Sequence, residues 1–211
     1  MSATNKLWSS RDERSWLTAL DKYWSYVKPT HLDIEREFNS LDVQQIEQMN
    51  AMQWYEFLLN KYFFWKYTAR NRYVTTTSQL KKYLGPKDNL DNLFSIKQRI
   101  FEMNKDDIAD GLNIACEIRG LGTAGASGLL AVLFPSHFAT VDQFAVKALS
   151  EVSGLQEKYA ITKMNPEQIR VSEGAVLIKI MRQKAKELNT VFSTDKWTPR
   201  KIDMVLWVAS R

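Results

Sequence analysis

Apolar residues recur every three or four positions over most of the chain, separated by charged and amide side chains. Over residues 42–67, Ile46, Met49, Trp54, Phe57, Leu58 and Phe64 stand at such intervals among good helix formers, which predicts a helix. Residues 89–103 and 105–119 read as two more amphipathic helices, with Asp106 and Asp107 enriching the first turn of the second. Residues 172–189 place apolar and basic side chains at helical intervals. Thr198-Pro199 is a start signal, a hydroxyl N-cap followed by proline in the first turn, and a helix to Ala209 follows from it. Only residues 72–77, with their β-branched run, suggest an extended segment. Long alternating patterns, internal repeats and low-complexity linkers are missing, so an all-α fold is expected.

The 211 residues suit one domain or two tightly joined lobes, and 45% hydrophobic against 25% charged residues is enough to bury a core. Apolar stretches such as 129–134 are far too short to span a bilayer, and the polar residues 1–14 lack the apolar core of a signal peptide. No membrane contact and a cytoplasmic location are expected, nucleoid-associated or nuclear depending on the cell. The single cysteine, Cys116, rules out an internal disulfide framework and reads as a small buried hydrophobe. With it, His31 and His137 make a structural zinc site improbable, and His137 reads as structural.

The net charge is +5 and the pI about 9.2, a weak pointer to nucleic acid. Its distribution says more. Between residues 61 and 87 lie Lys61, Lys66, Arg70, Arg72, Lys81, Lys82 and Lys87 with no acidic residue. The stretch before them carries Asp33, Glu35, Glu37, Asp42, Glu47 and Glu56. Aromatic residues interleave the basic ones, densest at residues 62–67, which favours a binding surface over a merely solvated face. Lys66, Arg70 and Arg72 are candidates for phosphate contact, and Trp65 or Tyr67 for a pocket wall.

Glycine is scarce, yet four of the eight fall between Gly120 and Gly128. Gly120-Leu121-Gly122 separates a predicted helix from the apolar run 129–134. Two glycines around an apolar residue make a tight turn that leaves backbone N–H groups free at the next helix start, where Thr123 and Ala124 stand. Such groups suit a phosphate oxygen. An ordinary helical hairpin would read the same way. Beyond it, Val141-Asp142 precedes a further helix containing Phe144, and Asp142 alone would be a plain N-cap.

Together, residues 118–149 resemble the helix-hairpin-helix (HhH-GPD) DNA glycosylase superfamily, which includes endonuclease III and the 8-oxoguanine glycosylases. The shared pattern is a hydrophobic-x-Gly-hydrophobic-Gly hairpin, an alanine-rich helix, then a Val-Asp pair at the spacing from Ala124 to Asp142. The resemblance implies a two-lobed helical fold over residues 42–211, with residues 1–41 as an N-terminal helical extension. It implies a protein that binds double-stranded DNA, flips a base out and cuts its glycosidic bond, with Asp142 as the catalytic carboxylate. It also implies hairpin contacts from Gly120, Gly122, Thr123 and Ala124 to the DNA backbone. The superfamily's catalytic lysine would stand at position 124. Ala124 offers no amine, so a monofunctional enzyme without lyase activity is implied, acting as a monomer. No cofactor is expected and the iron–sulfur loop is missing; a monovalent cation at the hairpin carbonyls is compatible with the pattern. A non-catalytic DNA-binding protein is the alternative.

The last predicted helix resembles that of the 8-oxoguanine glycosylases. Carried over by position, Trp207 would stack on the flipped base and Asp203 would read its edge, while Gly128 opposite leaves room for a bulky base. Phe144, Trp65 and Tyr67 complete the expected pocket. A carboxylate accepts a hydrogen bond from an exocyclic amine, which points to a modified cytosine, hypermodified as in phage DNA, or an amine-bearing purine. Repair and antiviral defence are both open. Trp207 reads equally well as core, and Asp203 as an acid near a helix N-terminus.

Overall fold

The computed structural model describes residues 2–85 and 90–211, and these form helices and connecting turns with no strand among them. Lys87 and Asn89 of the expectations above lie outside the described residues. In chain order the helices are α1 (Ala3–Trp8), α2 (Glu13–Tyr26), α3 (Pro29–Asn39), α4 (Val43–Gln48), α5 (Ala51–Phe57), a π-helical turn (Leu58–Tyr62), α6 (Phe63–Lys66), α7 (Arg70–Leu80), a 3-10 turn (Lys81–Leu84), α8 (Leu90–Glu102), α9 (Ile108–Cys116), α10 (Thr123–Leu133), α11 (Gln143–Glu151), α12 (Lys158–Lys163), α13 (Val171–Phe192) and α14 (Pro199–Ala209). None is long and apolar enough to cross a membrane.

Short polar side chains start half of the α-helices. Asp12, Asp42, Asp107, Asp142 and Thr198 each accept backbone N–H bonds from the first turn they precede, and Asn50 with Gln53 forms a full capping box. The box explains one departure from the pattern. Residues 42–67 are not one helix, because Met49 is extended and Asn50 restarts the chain. The π turn that follows carries an N–H bond from Phe63 to the Leu58 carbonyl, one residue longer than the α spacing. The extra residue turns both Tyr62 and Phe63 into the core, each fully buried.

Three further expectations change. Residues 72–77 are helical within α7, not extended. The threonine hydroxyls of the β-branched run donate to carbonyls one turn back, Thr75 to Asn71 at 2.9 Å and Thr76 to Arg72 at 2.8 Å, which a strand could not offer. The helix expected from residue 105 begins at Ile108, with Asp107 as its cap and not in its first turn. Cys116 is only half-buried at the end of α9, where burial raises its thiol pKa.

The core runs through the whole described chain. Trp16 of α2 meets Trp197 edge-on at 5.7 Å, just before α14, and Phe38 of α3 packs against Phe57 of α5 and Trp65 of α6. The segment 2–41 is thereby held against α6 and α14. The helix α14 lies among α2, α11 and α13, and α9 packs against both α10 and α13.

Candidate functional site: a glycine hairpin beside a carboxylate cleft

The turn between α9 and α10 is shaped by one residue that must be glycine. Gly120 has φ +93°, and a Cβ there would stand 2.5 Å from the Thr76 carbonyl oxygen of α7. Leu121 is buried beneath the turn, while Gly122 is exposed, caps α10 without a side chain, and has open space around it. The first-turn N–H groups of Thr123 and Ala124 therefore lack a side-chain cap at the positive end of an eleven-residue helix. The hairpin carbonyls are partly engaged: Ile118 accepts from the Leu121 N–H at 3.0 Å and Gly120 from the Tyr67 hydroxyl at 3.0 Å.

That bond places Tyr67 behind the hairpin, so the expectation of Tyr67 in the base pocket is corrected. Arg70 and Arg72 are exposed on α7, and the Arg72 charge acts on the Tyr67 hydroxyl, which puts it near the hairpin. No group of three or more His, Cys, Asp or Glu side chains that could hold a metal ion occurs among the described residues.

The same helix α10 fixes the next element. Ser127, fully buried, accepts the Val141 N–H at 2.9 Å and so anchors the loop ending at Asp142. Asp142 is the N-cap of α11: its Oδ1 accepts from Phe144 at 2.9 Å and from Ala145 at 3.3 Å. Both bonds use one oxygen, and Oδ2 is left without a protein hydrogen bond.

Asp142 lines a cleft of about 490 Å³ with Tyr23, Tyr26, Trp65, Lys66, Phe144, Asp203 and Trp207. Hollows of about 580 and 530 Å³ lie elsewhere, but neither is lined by two acidic groups. Asp203 accepts the Thr140 N–H at 3.3 Å, two residues before Asp142. Loss of water, and then the neighbouring Asp142 charge, push its carboxyl up to about 7. Lys66 is the opposing cation. Burial holds its ammonium below the usual lysine range, against the pull of Asp142 and Asp203.

Lys66 therefore does not lie on the exposed face with Arg70 and Arg72. The phosphate contact expected of it is corrected to a place inside the cleft. Its Nζ would stand 3.2 Å from a Cβ at position 128, and the buried Tyr62 hydroxyl 2.8 Å from it. The space expected beside Gly128 for a bulky base is already occupied by these two side chains.

Trp207 and Asp203 share the cleft face of α14, as their spacing requires. Trp207 is half-buried, with Tyr23 at 5.3 Å and Phe144 at 6.3 Å edge-on, and the Arg211 guanidinium covers one face at 3.7 Å. A base stacking on that face must displace Arg211.

The sequence pattern did not reveal Glu35 or Arg200. They form a buried ion pair at 3.0 Å, and Glu35 also accepts from the Trp65 indole N–H. This pair joins α3, α6 and α14 at the cleft wall. One signal was available: Arg200 stands in the first turn of α14, where a cation opposes the helix dipole and calls for a compensating acid. Comparison of the chain with protein-family models, curated proteins and solved structures finds no match.

Proposed function

We propose that this chain is a DNA glycosylase of the helix-hairpin-helix type, with a two-lobed HhH-GPD fold acting as a monomer on double-stranded DNA. The observation that carries the reading is Asp142. It caps a helix with one oxygen and leaves the other unpartnered in a cleft, one buried helix away from a hairpin of uncapped N–H groups. Cleaving a glycosidic bond builds positive charge on the sugar, and a fixed carboxylate stabilises it. The hairpin N–H groups with Arg70 and Arg72 would hold phosphates, and the cleft would receive a base turned out of the stack. Ala124 supplies no amine, which supports hydrolysis by water.

A DNA-binding protein without chemistry needs the hairpin but not the cleft. Burying Glu35, Lys66 and Arg200 around two aspartates costs desolvation energy that a binding module has no use for. Because Asp203 titrates near neutral pH, it donates a hydrogen bond when protonated and accepts when ionised. The preference for amine-bearing bases expected of a permanent carboxylate is therefore relaxed.

The test is mass spectrometry of bases released from duplexes that each carry one altered base, with wild type and Asp142→Asn. Asparagine keeps the cap, so the fold should hold. Base release should fall by about 10²-fold or more, with DNA affinity within a few-fold. An undiminished rate would remove Asp142 from the chemistry.

A further inference from the structure

The cleft brings Asp142 and Asp203 together on one lining, with Glu35 and the cations Lys28, Lys66 and Arg211. The ionisable groups that act on Asp203 or share its cleft are Asp142 from the start of α11, Lys66 from α6, Glu35 and His31 from α3, Tyr23 and Tyr26 from α2, Lys28 just before α3, Arg200 from its own helix and Arg211 after it. Arg200 is committed to Glu35 at 3.0 Å. Lys66 makes no hydrogen bond to Asp203, whose protein contact is the Thr140 N–H. That contact holds the carboxyl against the backbone two residues from Asp142. Loss of water around Asp203 and the neighbouring Asp142 charge favour its protonated form and outweigh the opposing pull of Lys66 and Arg200.

We propose that Asp203 is the general acid of this site, protonating the departing base while Asp142 stabilises the sugar. The proposal rests on the glycosylase reading. The Asp203 O–H gives its proton to a ring nitrogen or exocyclic atom of the base as the C1′–N bond breaks, and the bonding electrons leave with the base. Water then adds to C1′ and loses a proton to the Asp142 carboxylate. Net, one water is split between sugar and base. Asp142 then carries the proton that Asp203 has lost, and transfer between these neighbouring groups restores the starting state. A carboxyl near 7 is matched to this role at neutral pH.

The experiment compares leaving groups. Single-turnover release is measured from duplexes carrying one 7-methylguanine, which departs neutral without added protonation. The same is done for one uracil, hypoxanthine, 8-oxoguanine or 5-hydroxymethylcytosine, which are uncharged. Asp203→Asn should slow release of the uncharged bases by about 10²-fold or more and change 7-methylguanine release by less than about threefold. For uncharged bases, the wild-type rate should fall about tenfold per pH unit above pH 7, and the variant should lose that limb. Equal losses on charged and uncharged bases would reduce Asp203 to a positioning residue and overturn the proposal, as would a wild-type rate flat through pH 7–9. Release of no base by the wild type would sink the glycosylase reading itself, before any variant is made.

Discussion

The hairpin at the start of α10 and the cleft around Asp142 are built in opposite ways. The hairpin comes from consecutive residues and presents backbone N–H groups, so its shape depends on one positive φ and one buried leucine. The charge proposed for it comes from Arg70 and Arg72 on α7, the helix whose Thr76 meets Gly120. The cleft instead gathers side chains from positions 35, 65, 66, 142, 200, 203 and 207, none of which makes a site alone. A backbone site needs little more than the correct turn. A side-chain site must hold charges out of water, and tolerates little loss of any partner. The two should therefore fail separately.

The largest expected effect is on the cleft. Glu35→Ala leaves Arg200 buried without its acid, next to an Nε that already lacks a partner. Stability should fall by about 3–5 kcal/mol, read as a midpoint loss of roughly 6–20 °C in thermal melts. Replacing both partners, Glu35→Leu with Arg200→Met, should recover most of that loss. If the single variant melts like wild type, the pair does not organise the cleft.

A smaller loss is expected at the hairpin. Gly120→Ala forces a methyl group against the Thr76 carbonyl at an unfavourable φ, costing about 2–3 kcal/mol. Its signature is weakened DNA binding while the Asp203 titration, followed by carbon NMR, stays near 7. A displaced titration would mean that the two sites are one mechanical unit.

The smallest effect belongs to the charges on α7. Arg70→Ala and Arg72→Ala should each lower affinity only a few-fold on all sequences, and each should reduce the log–log salt slope by about 0.9. Lys66→Ala, by contrast, should leave the slope unchanged, because Lys66 lies in the cleft. A slope that responds to Lys66 would return it to the exposed set with Arg70 and Arg72.

The sequence by itself determined the helical class, the long helices α8, α13 and α14, the caps at Thr198 and Asp142, and the glycine turn. These depend on neighbours within a turn or two: Thr198-Pro199 starts α14, and the glycines around Leu121 fix the turn before α10. Local patterns misled only where a nearby hydrogen bond outweighed propensity, as with the threonines of α7 and the cap at Asn50. The tertiary structure decided the rest. Lys66 reads as one of a run of basic residues until the π turn and Gly128 direct it inward, and Asp203 reads as an ordinary acid until Asp142 is folded beside it. Glu35 and Arg200 are 165 positions apart and carry no mark of each other. Helix and turn energies are settled over a few residues, but the charge state of a side chain depends on its solvent and on whichever charges the whole chain brings near it.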